Sequence, residues 1–166
     1  MNRSLIHMVF LLSPLLLTGQ NTIDEALSRY NSGSVPYVDQ QTAYAWQSDN
    51  SAVFLDSRSR DEFEVSHLKN AHFVGDEEFN PEVLEQINLD PSSKIVVYCS
   101  IGVRSERVGE KLKKLGYQNI YNLYGGLFQW YNSGKSLVDA QEKITQAIHG
   151  YDKHWAKFIN RGTPEY

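Results

Sequence analysis

The clearest feature of the chain is a set of short, continuous apolar runs that end at polar residues. The most β-branched run covers residues 95–98, a similar run covers residues 53–55, and residues 120–123 are apolar at three of four positions. Continuous apolar runs of this length are typical of strands that are buried on both faces of a parallel sheet. The pattern therefore predicts three central strands, and the first of these runs is the best candidate for the middle of the sheet.

Between these runs the apolar positions take up a helical spacing. Val108, Leu112 and Leu115 fall at i, i+4 and i+7, and Gly116 follows where a C-terminal glycine belongs. We expect this helix to begin near Ser105. Strands that alternate with helices indicate an α/β fold with a mostly parallel sheet covered on both faces. Shorter elements are predicted as helices at 23–30, 42–46, 61–65, from 81 onwards and after 126, and as a strand at 71–74.

The first residues have the layout of a secretory signal peptide. Arg3 provides a positive start, residues 6–17 are almost wholly apolar, and small and polar residues follow. We predict a signal peptide at 1–19 and a lead-in or linker at 20–36, so that the protein is exported, to the periplasm or outside the cell. An uncleaved anchor and a buried core helix are the alternatives. With the signal removed, no membrane association is expected.

Composition narrows the function classes. The 166 residues suffice for one domain, and the formal net charge is −4 with no block of Lys and Arg. Nothing therefore points to nucleic acid or to an anionic membrane surface as a partner. Cys99 is the single cysteine, which excludes an intramolecular disulfide and a cysteine-based zinc cluster. On count alone, a lone cysteine is most often a small buried hydrophobic residue.

The context of Cys99 favours a reactive thiol instead. It follows a predicted buried strand directly, and a short loop leads to the next helix. Such a loop can turn successive N–H groups inward, and a helix N-terminus adds its positive end, so a thiolate there has a lowered pKa. Gly102 suits the tight middle of the loop, and Arg104 adds a charge that can hold an oxyanion. The plainer alternative is a packed cysteine, an ordinary turn and a solvated arginine.

Residues 99–105, Cys-Ser-Ile-Gly-Val-Arg-Ser, resemble the active-site loop of rhodanese-family sulfurtransferases. The resemblance extends over residues 37–132, in order and at the family's spacing, with Asn70 where the family usually has glycine. The other matching segments are Val-Phe-Leu-Asp-Ser-Arg at 53–58 with Glu62 and Phe63, His-Leu-Lys-Asn-Ala at 67–71, Leu-Gly-Tyr at 115–117, and Gly125 and Gly126 with Trp130.

The resemblance implies a three-layer α/β/α fold and a sulfurtransferase that carries a sulfane sulfur as a persulfide on Cys99. Arg104 is the second expected catalytic residue. Asp56 and Arg58 are expected to position the loop, or else to form a strand-end cap and a surface ion pair, and His67 is expected to be structural. The active-site loop that cradles the outer sulfur would comprise Ser100, Ile101, Gly102, Val103 and Ser105.

The implied reaction is a double displacement between small molecules. A donor such as thiosulfate loads the cysteine, and cyanide or a thiol, including the thiol of another protein, accepts the sulfur. No metal and no organic cofactor are required. The oligomeric state is left open.

Two other function classes remain open. Related phosphatases and arsenate reductases have a Cys-x5-Arg loop, whereas this chain has Cys-x4-Arg, which makes a narrower cradle. A catalytically inactive rhodanese-like sulfur carrier, sensor or binding module is the second alternative.

Residues 133–166 form an extension beyond the family's core. Its aromatic residues and the apolar positions Leu137, Ile144 and Ile148 predict that it packs back onto the domain. His149 and His154 are five residues apart, which is a poor spacing for two metal ligands on one helix face. The extension could instead form one wall of the active-site mouth.

Overall fold

A computed structural model of the protein describes residues 22–166, and the predicted signal peptide lies outside this range. At its centre is a five-stranded sheet in which every neighbouring pair is parallel, in the order β1-β5-β4-β2-β3. The α/β architecture and the parallel sheet confirm the expected fold class. The strands are β1 (Tyr37–Val38), β2 (Val53–Asp56), β3 (His72–Phe73), β4 (Lys94–Tyr98) and β5 (Asn119–Leu123).

Seven helices are found within the described residues, and four of them begin at a side-chain cap. Thr22 and Ser59 form capping boxes with Glu25 and Glu62, and Asp39 and Asp152 accept hydrogen bonds from the first N–H groups of their helices. The helices are α1 (Ile23–Tyr30), α2 (Gln40–Ser48), α3 (Arg60–Val65), α4 (Glu82–Gln86), α5 (Val103–Lys114), α6 (Gly126–Asn132) and α7 (Lys153–Ala156).

Strand β4 shows why the fold has three layers. Val96 and Tyr98 belong to one hydrophobic cluster, whereas Ile95 and Val97 belong to another, and all four are fully buried. Because successive side chains of a strand point to opposite faces, the two clusters lie on opposite faces of the sheet. Burial on both sides explains the unbroken apolar run that predicted this strand.

The prediction misplaced the start of the helix that follows β4. Helix α5 begins at Val103, two residues earlier than expected. Gly102 occupies the N-cap position with φ of 110°, and this left-handed conformation turns the chain directly from the loop into the helix. The strand expected at 71–74 is also shorter, since β3 covers only His72–Phe73. After it, the N–H groups of Val74 and Gly75 both donate to the Asp56 carbonyl, at 2.9 and 3.2 Å.

The C-terminal extension contacts the rest of the domain closely. Leu137, Ile148 and Phe158 are buried in the same cluster as Val96. The backbones of His67 and Val138 exchange two hydrogen bonds of 2.8 and 2.9 Å. The extension contains four short strands, β6 (Leu137–Val138), β7 (Ile144–Thr145), β8 (Ile148–His149) and β9 (Pro164–Glu165). Over residues 22–166, no helix has the length and apolar character needed to cross a membrane.

Candidate active site

Cys99 lies at the carboxyl edge of the sheet, directly after the central strand β4. The neighbouring strand β2 ends beside it, and both the N–H and the hydroxyl of Ser57 donate to the Tyr98 carbonyl at 2.9 Å. Parallel α/β sheets bind ligands at this edge, where the loops after several strands meet. The sheet order therefore places the cysteine where a substrate site is expected.

The Cys99 sulfur lies within the loop that follows it. The Gly102 N–H donates to Sγ at 3.1 Å, and the Ser105 hydroxyl lies 3.6 Å from Sγ. The side chain is almost wholly buried, yet it lines a large cavity. The plainer alternative, a cysteine packed only among apolar side chains, is therefore wrong in geometry. The arrangement offers hydrogen-bond donors to a negatively charged sulfur.

Asn122, at the end of β5, fixes the shape of this loop. Its Nδ2 donates to the Gly102 carbonyl at 2.8 Å, so its Oδ1 accepts from the Ser105 hydroxyl, also at 2.8 Å. A hydroxyl has one proton, and the shorter contact with Asn122 takes it. Asn31 adds a second donor to the Gly102 carbonyl at 2.9 Å. No sequence motif marks Asn122, which is a polar residue inside an otherwise apolar strand.

Helix α6 holds the loop from the other side. The N–H groups of Leu127 and Phe128 donate to the carbonyls of Cys99 and Ser100 at 2.8 and 3.0 Å. Gly126, the residue before Leu127, has φ of 55°, and a β-carbon there would lie 2.3 Å from the Cys99 carbonyl oxygen. The absence of a side chain at Gly126 therefore permits the close packing of α6 against the loop.

Arg104 lies beside the loop but is not a free cation. Its two terminal nitrogens donate to the two oxygens of Glu62 at 2.6 and 2.7 Å. One of these nitrogens also donates to the Ser100 hydroxyl at 2.9 Å, and that hydroxyl in turn donates to Glu62 at 3.0 Å. Arg104 thus approaches the loop as one half of an ion pair, and its part in holding an oxyanion stays a prediction. Glu62 was noted in the sequence as part of a motif, but not as a site residue.

These charges set the pKa values of the site. Burial by itself raises the pKa of Cys99, but the Arg104 charge and the backbone hydrogen bonds from Ser105 and Gly102 lower it more, so the pKa lies below its usual value. Burial also acts to raise the pKa of Glu62, yet its hydrogen bonds to Arg104 and the charges of Arg104 and Arg58 lower it to about 2. The site therefore favours a thiolate beside an ionised Glu62–Arg104 pair.

Asp56 and Arg58 form a buried ion pair under the site. Arg58 donates to the Asp56 carboxylate through its backbone N–H, its Nε and one terminal nitrogen, the last at 2.7 Å. The same terminal nitrogen donates to the Ser66 carbonyl at 2.6 Å. Both side chains have no exposed surface, so the expectation of a surface ion pair is wrong. The pair ties the end of β2 to the end of α3.

A model of the Rhodanese-like domain family matches residues 39–133, which is more than half of the chain. The chain belongs to the rhodanese-like domain family. A protein of Erwinia tasmaniensis named tRNA uridine(34) hydroxylase is 31% identical over 110 residues, which cover 64% of this chain and 31% of that protein. A protein of the same name from Hamiltonella defensa is 33% identical over 90 residues, or 52% of this chain and 25% of that protein. The chain spans about a third or less of these curated relatives.

Solved structures show the same fold. A thiosulfate sulfurtransferase from Pseudomonas aeruginosa superposes with a TM-score of 0.58 at 24% identity, covering 67% of this chain and 22% of that chain. A human single-domain sulfurtransferase superposes with a TM-score of 0.52 at 19% identity, covering 62% of this chain and 100% of that chain. At these identities the likeness establishes the architecture.

The rhodanese-like domain has a cavity of about 700 Å³ above Cys99. The cavity is lined by four loop residues and by Arg58; the loop residues are Ser100, Ile101, Val103 and Arg104. His149, Tyr151 and Trp155 of the C-terminal extension also line it, which the sequence had left as an open alternative. Within residues 22–166, no group of three or more His, Cys, Asp or Glu side chains is arranged to hold a metal ion.

His67 has a structural environment in the rhodanese-like domain. Its ring stacks on Phe63 with 3.8 Å between centroids, and its two nitrogens contact the Phe63 carbonyl at 2.9 Å and Glu142 at 3.1 Å. It does not line the cavity. Asn70, three residues after His67, has φ of 60°, a left-handed conformation that Asn tolerates better than most residues. Asn70 therefore adopts at this turn the left-handed conformation that a glycine would also allow.

Proposed function

We propose that this protein is a sulfurtransferase that carries a sulfane sulfur as a persulfide on Cys99. The observation that carries the proposal is the Gly102 N–H donating to Sγ at 3.1 Å, next to the Arg104 charge. Together they favour the thiolate, which is the nucleophilic form of cysteine. The proposed donor is an anionic sulfane such as thiosulfate, and the acceptor is cyanide or a thiol.

In the first half-reaction the Cys99 thiolate attacks the outer sulfur of thiosulfate. A bond forms between Sγ and that sulfur, the sulfur–sulfur bond of thiosulfate breaks, and its electron pair leaves with sulfite. The negative charge that the thiolate brought now lies on the outer sulfur of the persulfide. N–H groups aimed into the loop stabilise this charge.

In the second half-reaction the acceptor attacks the outer sulfur. With cyanide, a carbon–sulfur bond forms, the persulfide bond breaks, and its electron pair returns to Sγ while thiocyanate leaves. The thiolate is thereby regenerated without an external oxidant or reductant. Because the donor product leaves before the acceptor reacts, ping-pong kinetics are expected.

The proposed role of Arg104 follows from its pairing. Glu62 binds both terminal nitrogens, so Arg104 is better suited to hold the loop and to favour the thiolate by its charge than to clamp a sulfonate directly. Ser100 joins this pair through its hydroxyl, and Ser105 and Gly102 contact the sulfur itself. Asp56 and Arg58 support the loop from beneath.

Three other functions are less well supported. The loop has one residue fewer than a Cys-x5-Arg phosphatase loop, and both terminal nitrogens of its arginine donate to Glu62 instead of facing a phosphate. The relatives named tRNA uridine(34) hydroxylase are about three times longer than the matched segment, so their whole-protein activity does not transfer with it. A pure binding module does not require a cysteine with a lowered pKa.

The proposal is tested by intact mass spectrometry of the purified chain. Incubation with thiosulfate should add the mass of one sulfur atom, and cyanide should remove it with release of one thiocyanate. Cys99→Ser should show neither. Folded protein that takes up no sulfur from thiosulfate or another sulfane donor would contradict the proposal.

We also propose that residues 1–19 direct the protein out of the cytoplasm, on the strength of the apolar stretch at 6–17 after Arg3. Cell fractionation and N-terminal sequencing of the expressed protein test this. A chain that keeps its initiating methionine and stays in the cytoplasm would contradict it.

A further inference from the structure

The cavity above Cys99 is larger than the proposed small substrates require. Its volume of about 700 Å³ lies within the range of pockets that enclose ligands of drug size. Thiosulfate and cyanide are far smaller. The active-site loop provides the groups that a sulfane anion needs, so most of the cavity is available to a second, larger molecule.

One wall of this cavity is aromatic and comes from the C-terminal extension. Tyr151 and Trp155 line it, and His149 lies next to them. All three residues lie beyond residue 133, where the match to the family ends. The wall is therefore a feature that the family match does not account for.

Tyr151 is held against the catalytic loop in an uncommon backbone conformation. The Asp152 N–H donates to the Gly150 carbonyl at 2.9 Å, so Tyr151 is the central residue of a γ-turn, and its φ of 64° is rare for a bulky side chain. Its ring lies 4.7 Å from the Arg104 guanidinium carbon. Strained residues of this kind persist where the surroundings fix them, and they cluster at functional sites.

Trp155 is fixed independently. Asp152 accepts from the Trp155 N–H at 3.0 Å, and the indole packs against Tyr30 and Phe158 with centroid distances of 5.8 and 6.1 Å. Gly150 anchors the same turn to β9, since its N–H donates to the Glu165 carbonyl at 2.8 Å. Tyr151 is thus positioned relative to Cys99 by its contact with Arg104. Trp155 is positioned by its packing within the extension and against Tyr30.

The remaining lining of the cavity carries both signs of charge. Asp61, Glu77 and Glu78 contribute carboxylates, Arg60 contributes a guanidinium group, and Arg107 lines the cavity as the ion-pair partner of Asp76. Such a lining suits a dipolar organic molecule better than a simple anion. A small peptide thiol, with an ammonium group, carboxylates and an apolar body, has this chemistry.

We propose that Tyr151 and Trp155 form an acceptor subsite that selects a small peptide thiol over cyanide. This inference rests on the proposed sulfur transfer. The acceptor thiol gives up its proton and attacks the outer sulfur of the persulfide, a new sulfur–sulfur bond forms, and the bond to Sγ breaks. Its electron pair returns to Cys99 as the thiolate, and the thiol's proton ends on the transferred sulfur of the product persulfide.

The test compares two acceptors on the same sulfur-loaded protein. Rates of persulfide discharge are measured over a range of reduced glutathione and of cyanide concentrations, for the wild type, Trp155→Leu, Tyr151→Ala and Tyr151→Phe. We expect Trp155→Leu and Tyr151→Ala to lower the ratio of the glutathione to the cyanide rate constant by roughly three- to tenfold, the size of a lost aromatic contact. Tyr151→Phe retains the ring and should keep the ratio.

Tyr44→Ala is the matched control, because Tyr44 is also a half-exposed aromatic residue, but it does not line the cavity. Cyanide discharge reports whether each variant is folded. Equal loss with both acceptors, an unchanged ratio, or discharge by reduced thioredoxin but not by glutathione would overturn the inference. A wild type that takes up no sulfur would overturn the proposed function and this inference together, whereas a loaded wild type with unselective variants would overturn only the inference.

Discussion

Arg104 and Glu62 form a two-pronged ion pair at the side of the cysteine loop, with N–O distances of 2.6 and 2.7 Å. The pair joins the first turn of α5 to the first turn of α3. Glu62 also completes the capping box of α3, since its carboxylate accepts from the N–H of the N-cap residue Ser59 at 3.0 Å. One carboxylate therefore fixes a helix start, an arginine and, through Ser100, the loop that holds Cys99.

This pair predicts opposite effects of two substitutions on the pKa of Cys99. Arg104→Gln removes the positive charge that favours the thiolate, so the pKa should rise. Glu62→Gln removes a nearby negative charge and leaves Arg104 unpaired, so the pKa should fall. Thiolate ultraviolet absorbance followed against pH measures both shifts, with Cys99→Ser as the blank. Shifts of the same sign would contradict the proposed electrostatics.

The same pair predicts how stability changes with acid. The pKa of Glu62 is about 2 in the folded protein and lower than its ordinary value of 4.5, so ionised Glu62 stabilises the fold above about pH 5. That contribution should be lost as the pH falls from about 5 towards 2. In urea unfolding, wild type should exceed Glu62→Gln in stability at neutral pH, and the difference should shrink with acid. A difference that does not change with pH would contradict this assignment.

Gly126 predicts a loss of the site through backbone contact alone. In Gly126→Ala the new β-carbon would lie 2.3 Å from the Cys99 carbonyl oxygen and 2.7 Å from that of Ser100, so the loop or the start of α6 must move. We expect loss of sulfur uptake and destabilisation of roughly 3 kcal/mol or more. Mass spectrometry and thermal unfolding measure the two effects.

Gly116→Ala is the control for Gly126→Ala, because Gly116 also has a positive φ, of 95°, but nothing lies within 4 Å of its β-position. It should cost about 1 kcal/mol and retain sulfur uptake. Equal effects of the two substitutions would show that backbone strain alone, and not the approach to Cys99, matters at Gly126.

The buried pair of Asp56 and Arg58 should matter far more for stability than an exposed pair. Asp56→Ala leaves the guanidinium without its charge partner in the interior and should cost about 3–5 kcal/mol in free energy of unfolding. Arg107→Ala removes the half-exposed partner of Asp76 and should cost about 1 kcal/mol or less. Denaturant unfolding of both variants tests this. Comparable costs would mean that burial of the first pair does not determine its contribution.

The sequence by itself determined the layered α/β architecture, because an apolar run such as 95–98 has one stable environment, a strand covered on both faces. It also determined where the chemistry belongs, since a cysteine that ends such a strand must lie at the carboxyl edge of the sheet. The predicted start of α5 was two residues late because Gly102, in a left-handed conformation, turns the loop directly into the helix. The apolar pattern says little about a local backbone conformation of this kind.

Only the tertiary structure decided which polar groups meet around Cys99. Glu62 is 37 residues before it and Asn122 is 23 residues after it, and they reach the loop because β2 and β5 both lie beside β4. Tyr151 and Trp155 join the cavity because the extension folds back over the same edge of the sheet. The spacing of apolar positions along the chain predicts whether a residue is buried. The partner of a buried charge or of an aromatic ring depends instead on which distant segments the fold brings together.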